Sequence, residues 1–259
     1  MKEPLDINID PRGVCQLTLN RPQRGNALDG SLVQQLSAAL AHIRSDPVIR
    51  VVILTGQGAS FCSGADLQWM QRMAEADFAT NESDAFELAL LLEDFAQLPL
   101  PTVARVNGPA YGGANGLISA CDVAIACDSA VFTFSEVRLG LVPVVIAPYV
   151  VTAMGLRQAR RWLLSAEAMD SAEAVRLGLV HQVVADSNLD EAVEKQVQLL
   201  LKGGPNAQAK LKAILNEWQK AAPFEKEDLA GLLAEIRTSC EGQEGLKAFL
   251  EKRKPRWPT

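Results

Sequence analysis

The chain of 259 residues is poor in the residues on which several chemistries depend. Only two histidines occur, His42 and His181. One falls in an amphipathic helical pattern and the other in a strand pattern, which gives a Ser-His-Asp or Cys-His triad little support. The five cysteines, Cys15, Cys62, Cys121, Cys127 and Cys240, are odd in number and form no CxxC pair. They read as buried free thiols, with neither a disulfide framework nor a zinc site. No run approaches the about 18 apolar residues of a membrane span. The start, Met1-Lys2-Glu3-Pro4-Leu5-Asp6, has no apolar signal segment, so a cytoplasmic location is expected. Positive charge is also short: the formal net charge is −6, which argues against a general nucleic-acid surface. No GxSxG, P-loop or dinucleotide-binding glycine pattern stands at a strand–helix junction. Metal-ligand clusters, low-complexity tracts and short-period repeats are missing too.

What is present is apolar residues, 48% of the chain, enough to bury a core in one large or two unequal domains. Val14–Asn20 and Arg50–Thr55 read as β-branched strands ended by turn formers. Leu32, Leu36, Leu40 and Ile43, with Val33, recur at helical spacing between them. A helix around Ala85–Ala96 precedes a strand at Thr102–Val106. A small-residue helix, Gly113–Ala120, precedes another strand at Asp122–Ala126, and an apolar strand follows at Val131–Phe134. Repetition of this kind predicts a mostly parallel, layered α/β fold. From Leu189 onward the pattern turns helical: Leu189–Leu201, Ala207–Lys220, Phe224–Ser239 and Gly242–Arg253, separated by Gly203-Gly204-Pro205 and Ala222-Pro223.

Two glycine-containing turns carry the chemistry. One is Phe61-Cys62-Ser63-Gly64-Ala65-Asp66, after an apolar strand; the other is Gly112-Gly113, at the start of a helix. Strand-to-helix turns of this kind can each aim a backbone N–H at one point, as a developing thioester enolate requires. Beyond the apolar strand Val131–Phe134 stands one acidic residue, Glu136, in an apolar setting of Phe132, Phe134 and Leu139. Desolvation there would bring its pKa towards neutrality and suit it to acid–base work. Capping of a helix start or pairing with Arg138 is the purely structural use of the same carboxylate.

Five segments in order carry a resemblance: LNRPQRGNAL (Leu19–Leu28), VVILTGQGASFCSGADL (Val51–Leu67), the block Asn107–Pro143, SAEAVRLGLVHQVV (Ser171–Val184) and EGQEGLKAFLEKRKPRW (Glu241–Trp257). On these the chain resembles, nearly end to end, the crotonase superfamily of enoyl-CoA hydratases and isomerases. The resemblance implies a spiral of β-β-α turns over residues 1–188. It also implies a C-terminal helical region over 189–259 that supports homotrimers, often paired into hexamers. The Trp69-Met70 pair and VRLGLVPVVIAPYVV (Val137–Val151) resemble the bacterial 3-methylglutaconyl-CoA and isohexenylglutaconyl-CoA hydratases, which act on branched acyl-CoAs in leucine and acyclic-terpene breakdown.

By motif position the resemblance implies an oxyanion hole from the amides of Ser63 and Gly113, with Glu136 as the acid–base residue. No permanently bound cofactor is implied; coenzyme A arrives as part of the substrate. Ala65-Asp66-Leu67 would receive its adenine, Arg24 would lie near its phosphates, and Phe249 and Lys252 would reach the CoA of an adjacent subunit. Trp69, Met70, Met73, Val144, Val145, Ile146 and Tyr149 are candidates for an acyl pocket. Arg138 or Arg72 is the candidate donor to a distal carboxylate. There is one departure. The second glutamate of two-glutamate hydratases has its slot at Gly116, so either Glu136 does both jobs or another group, Asn115 being the nearest in sequence, places the water. An enoyl-CoA isomerase, needing one carboxylate, and a non-catalytic acyl-CoA- or RNA-binding member are the alternatives; the acidic balance disfavours RNA.

Overall fold

A computed structural model of the chain describes residues 3–220 and the isolated positions 240, 244, 248, 251, 253 and 256. Nine strands form two sheets among the described residues. The larger contains, in spatial order, β1 (Leu5–Ile9), β2 (Val14–Leu19), β3 (Val51–Gly56), β4 (Thr102–Val106), β6 (Val123–Cys127) and β9 (Gln182–Val184). Only the β1–β2 pair is antiparallel. The smaller sheet joins β5 (Ala110–Tyr111), β7 (Val131–Thr133) and β8 (Met169–Asp170). The α/β class and the repeated strand–helix order match the sequence expectation.

Every residue of β3 is buried, as a central strand covered on both faces requires. The apolar stripe of α1 (Gly30–Ser45) is buried through Leu32, Val33, Leu36, Leu40 and Ile43. Asp29 starts this helix by accepting from Leu32 N at 2.9 Å, a standard N-cap. Next come α2 (Leu67–Glu75) and α3 (Phe78–Gln97). The sequence pattern shows only the second half of α3 and misses α2, none of whose residues is fully buried. Helix α4 (Gly113–Ala120) begins where expected, followed later by α5 (Ala147–Met154), α6 (Leu156–Ser165) and α7 (Ser171–Leu177). Helix α8 (Leu189–Leu201) buries Leu189, Val193 and Val197 against the core cluster, and α9 (Pro205–Lys220) follows. The helices expected over Phe224–Ser239 and Gly242–Arg253 lie outside the described residues, isolated positions aside.

The adjacent parallel strands β3 and β4 release their chains side by side, where ligands of open α/β sheets bind. Asn107 ties these ends together: its Oδ1 accepts from Gly56 N at 3.1 Å and Thr55 Oγ1 at 3.2 Å, and its Nδ2 donates to Gly58 O at 2.8 Å. Asn26, fully buried, donates to Gln57 O at 2.9 Å and Ser60 O at 2.8 Å and accepts from Arg21 N at 3.0 Å. It does so from the left-handed region, at φ 58°, which asparagine tolerates better than most residues.

Replacing Asn26 separates these contributions. Asn26→Ala strands buried carbonyls and strains the backbone, an expected loss of about 3 kcal/mol in urea unfolding. Asn26→Gly removes the bonds but relieves the strain, so it should fall between the two; equal stability of all three proteins would refute this role.

Candidate active site

The first turn is built from backbone pairing. Phe61 N donates to Pro109 O at 3.1 Å and Tyr111 N to Cys62 O at 3.0 Å, so the two glycine turns are stitched to each other. On the other side, Leu28 N donates to Gly64 O at 2.7 Å and Asp66 N to Leu28 O at 2.8 Å. Those two bonds straddle Ala65 and leave its own N–H without a partner among the described residues. Ala65 lines the cavity. Ser63, expected to supply the amide, does not: its N–H donates to Gly25 O at 2.8 Å, and the residue is not part of the cavity wall. The free amide at this turn lies two residues beyond the expected one, because the bond to Gly25 O consumes the Ser63 donor. The missed signal is the bridge between Leu28 and Ala65, which depends on chain segments far apart in sequence.

The second turn places Gly113 at the first position of α4, where an amide has no intrahelical acceptor. Gly113 lines the same cavity. Gly112 caps the helix at φ 53°, ψ −122°, a conformation that favours glycine, and a Cβ there would stand 3.0 Å from Glu136 Oε1. Thus the Glu136 carboxyl lies against the turn that carries the Gly113 amide. Glu136 begins a 3-10 turn, Glu136–Leu139. Its Oε2 is buried with no hydrogen-bond partner, and burial pushes its pKa above the ordinary 4.5. No ion pair forms with Arg138 among the described residues, and Arg138 is exposed.

The second-carboxylate slot is filled by hydrocarbon. A Cβ on Gly116 would stand 2.4 Å from Ile146 Cγ2 and 3.3 Å from Leu92 Cδ1, so no glutamate fits there without repacking. Asn115 does not serve instead. It is fully buried, and its Nδ2 donates to Ala110 O at 3.3 Å and Thr133 O at 3.0 Å, fastening α4 to the small sheet.

The cavity has a volume of about 660 Å³. Its walls are the start of α1, helices α2 and α3, and the segment Leu139–Ile146. Trp69, Met70, Met73, Val144, Val145 and Ile146 line it as expected, whereas Tyr149 faces a second cavity with Lys212 and His181. No lysine, arginine or histidine is among the described lining residues, so neither Arg138 nor Arg72 contacts the acyl space. Its ionisable groups are the carboxylates Asp29, Asp84, Glu87 and Glu136. The sequence pattern missed Asp84, which accepts from Trp69 Nε1 at 2.9 Å; on an amphipathic helix it reads as part of a solvated face.

Beside the cavity, Asp66 caps α2 by accepting from Gln68 N at 2.9 Å and Trp69 N at 3.2 Å. Burial pushes its carboxyl up, but the Arg24 hydrogen bond, those two amides and the Arg21 charge together hold it below its ordinary value. Arg24 Nη1 lies 2.9 Å from Asp66 Oδ2 and 3.1 Å from Gln68 Oε1, and Leu67 is exposed. The structure therefore gathers Arg24, Ala65, Asp66 and Leu67, while Phe249 and Lys252 lie outside the described residues. Cys15, Cys62, Cys121 and Cys127 are buried and free, and Cys240 is exposed. Burial pushes the Cys62 thiol up to about 12. Among the described residues no cluster suits a metal ion, and no helix is long and apolar enough to cross a membrane.

Comparison with known proteins places this geometry. The family model described as enoyl-CoA hydratase/isomerase matches residues 10–259. An enoyl-CoA hydratase of Alternaria alternata is 32% identical over 260 residues, covering 96% of this chain and 83% of the relative. The crystal structure of an enoyl-CoA hydratase from Shewanella pealeana superposes with a TM-score of 0.94 at 39% identity, over 98% of this chain and 96% of that one. An enoyl-CoA hydratase structure from Mycobacterium smegmatis gives 0.92 at 32% identity, with both chains covered fully.

Two stability measurements test the site's packing and charge. Gly116→Ala should lose about 1–3 kcal/mol by overpacking despite alanine's better helix propensity, and the loss should shrink in an Ile146→Ala background, which lacks the Cγ2 that the new methyl meets; a more stable Gly116→Ala protein would contradict the packing. A raised folded-state pKa means that the Glu136 contribution is fully present below the unfolded value and lost as pH rises through the folded one. Glu136→Gln should therefore melt above the wild type at pH 8, with the gap closing towards pH 4.5; a gap independent of pH would argue against a buried, strained carboxylate.

Proposed function

The chain belongs to the enoyl-CoA hydratase/isomerase family and is a hydratase-type lyase, and we propose that it adds water reversibly across the α,β double bond of a branched enoyl-CoA. One observation carries this reading: the Ala65 and Gly113 amides, without partners among the described residues, and Glu136, whose Oε2 is buried, line a single largely apolar cavity. As water attacks Cβ, negative charge moves onto the thioester oxygen. Two fixed amide dipoles there meet charge that exists only in the transition state, and losing one donor of this kind costs about 3 kcal/mol. Glu136, kept protonated to higher pH by burial, gives its proton to Cα. Acid–base assistance of this sort contributes about 10²–10⁴ in rate. Coenzyme A enters and leaves with the acyl group, its adenine beside Ala65-Asp66-Leu67 and its phosphates near Arg24.

Within branched substrates, the glutaconyl thioesters are the finer reading. It is supported by the Trp69-Met70 and Val137–Val151 segments and by a cavity wider than a straight four-carbon chain requires. The distal carboxylate of such a substrate would remain at the open, water-facing side, since no cation lines the wall among the described residues. The isomerase reading draws on the Ile146-filled slot at Gly116, because one carboxylate can shuttle a proton between carbons. Assembly into trimers or paired trimers is part of the proposal, and light scattering that returns the monomer mass would remove it.

Incubation with 3-methylglutaconyl-CoA, isohexenylglutaconyl-CoA and crotonyl-CoA, followed by mass detection, tests the reaction. The expected product gains one water, mostly on a branched substrate; an isomer of unchanged mass would assign the isomerase. Glu136→Gln should lower kcat about 10³-fold while acyl-CoA binding survives, and unchanged turnover would remove Glu136 from the chemistry.

A further inference from the structure

Hydration requires one proton to be taken from water and one to be delivered to carbon, work that one carboxylate can do alone or two can share. With Gly116 packed against Ile146, α4 supplies no second carboxylate, yet the cavity contains three besides Glu136. Asp29 is committed to capping α1 at 2.9 Å and to an ion pair with Arg21 at 2.9 Å. Glu87 accepts from Gln34 Nε2 at 3.3 Å. Asp84 remains. Its Oδ1 is held by the Trp69 indole N–H at 2.9 Å, and its Oδ2 makes no hydrogen bond among the described residues. A carboxylate oriented through one oxygen, with the other open to an apolar cavity, is the arrangement of a general base.

We propose that Asp84, delivered from α3 and oriented by Trp69, is the second catalytic carboxylate: it holds the attacking water and takes its proton. The inference rests on the hydratase reading of Glu136. As the water oxygen bonds to Cβ, one O–H bond breaks and its proton passes to Asp84. The π pair moves to Cα as the thioester enolate, held by the Ala65 and Gly113 amides, and the Glu136 proton then bonds to Cα. Water is added in sum, and the two carboxyl groups exchange protonation states until solvent resets them. The other ionisable groups of the cavity are Glu87 one turn along α3, Asp29 at the start of α1 and Glu136, all acidic, and of these Glu87 is the one whose charge acts on Asp84. Its Oδ1 reaches within 4.0 Å of the Cβ position on Gly30. Burial raises the Asp84 carboxyl, the Trp69 bond opposes this, and the Glu87 charge adds to the rise.

Two readouts in one set of variants decide it. The first is kcat and KM for hydration of a branched enoyl-CoA. The second is deuterium uptake at Cα of 3-methylbutyryl-CoA in D2O, which requires Glu136 and the amides but no activated water. Asp84→Asn should lower kcat at least about 100-fold with KM within about threefold, and should leave Cα exchange near the wild-type rate. Glu136→Gln should lose both. Trp69→Phe removes the bond that lowers the Asp84 pKa, so the acidic limb of its kcat profile should move to higher pH. An Asp84→Asn enzyme with near wild-type kcat, with only KM altered, or with hydration and exchange lost together overturns the proposal. A wild type that exchanges Cα deuterium but hydrates nothing overturns the hydratase reading and this inference with it, whereas loss confined to Asp84→Asn exchange leaves only the hydratase reading standing.

Discussion

An amide can stabilise an oxyanion only if the protein leaves it unsatisfied, and it can do so in the right place only if its neighbours are held. Ala65 meets both conditions through the bonds on either side of it, Leu28 N to Gly64 O and Asp66 N to Leu28 O. Ala65 is half-buried at the cavity wall, and the surrounding network has to hold it there. Arg21 does much of that: its guanidinium binds Ala27 O at 2.7 Å, Asp29 at 2.9 Å and Asp66 at 2.8 Å. The two aspartates are the caps of α1 and α2, so one side chain couples the reactive turn to two walls of the acyl cavity.

The electrostatics divide sharply between the cavity and its edge. Arg21 and Arg24 both stand on Asp66, where their charge is answered. Inside, Asp29 is answered by Arg21, whereas Glu136 and Asp84 stand among apolar lining residues with no ion pair among the described residues. This is the environment in which a carboxylic acid keeps its proton to higher pH, and the reason that Glu136 and Asp84 shift upward while Asp66, a few residues from the same wall, shifts downward.

Much of the fold was legible because its signals are local. The stripe of α1, the alternation leading to β3 and β4, and the start of α4 at Gly113 follow from side-chain periodicity and glycine alone. Glu136 could be found because a lone acid beyond an apolar strand is conspicuous. What was hidden depends on contacts between distant segments. Ser63 and Ala65 differ in that a carbonyl, that of Gly25, reaches the first amide and none reaches the second among the described residues. Helix α2 turns apolar residues towards a cavity rather than a core, so its Trp69, Met70 and Met73 give a weaker burial pattern. Asp84 resembles any charged residue of an amphipathic helix until the indole of Trp69 is seen to hold it. The space beside Gly116 is decided by Ile146, thirty positions later in the chain.

Cys62 stands within the stitched turns, one residue from Ser63 and bridged to Ala110. An α,β-unsaturated thioester, polarised by two amides, is an electrophile towards sulfur as well as oxygen, and only the thiolate attacks at a useful rate. Burial holds this sulfur as a neutral thiol, and Cys62 is not part of the cavity wall. The same enclosure that keeps the turn rigid thus shields the thiol from electrophiles that enter the cavity.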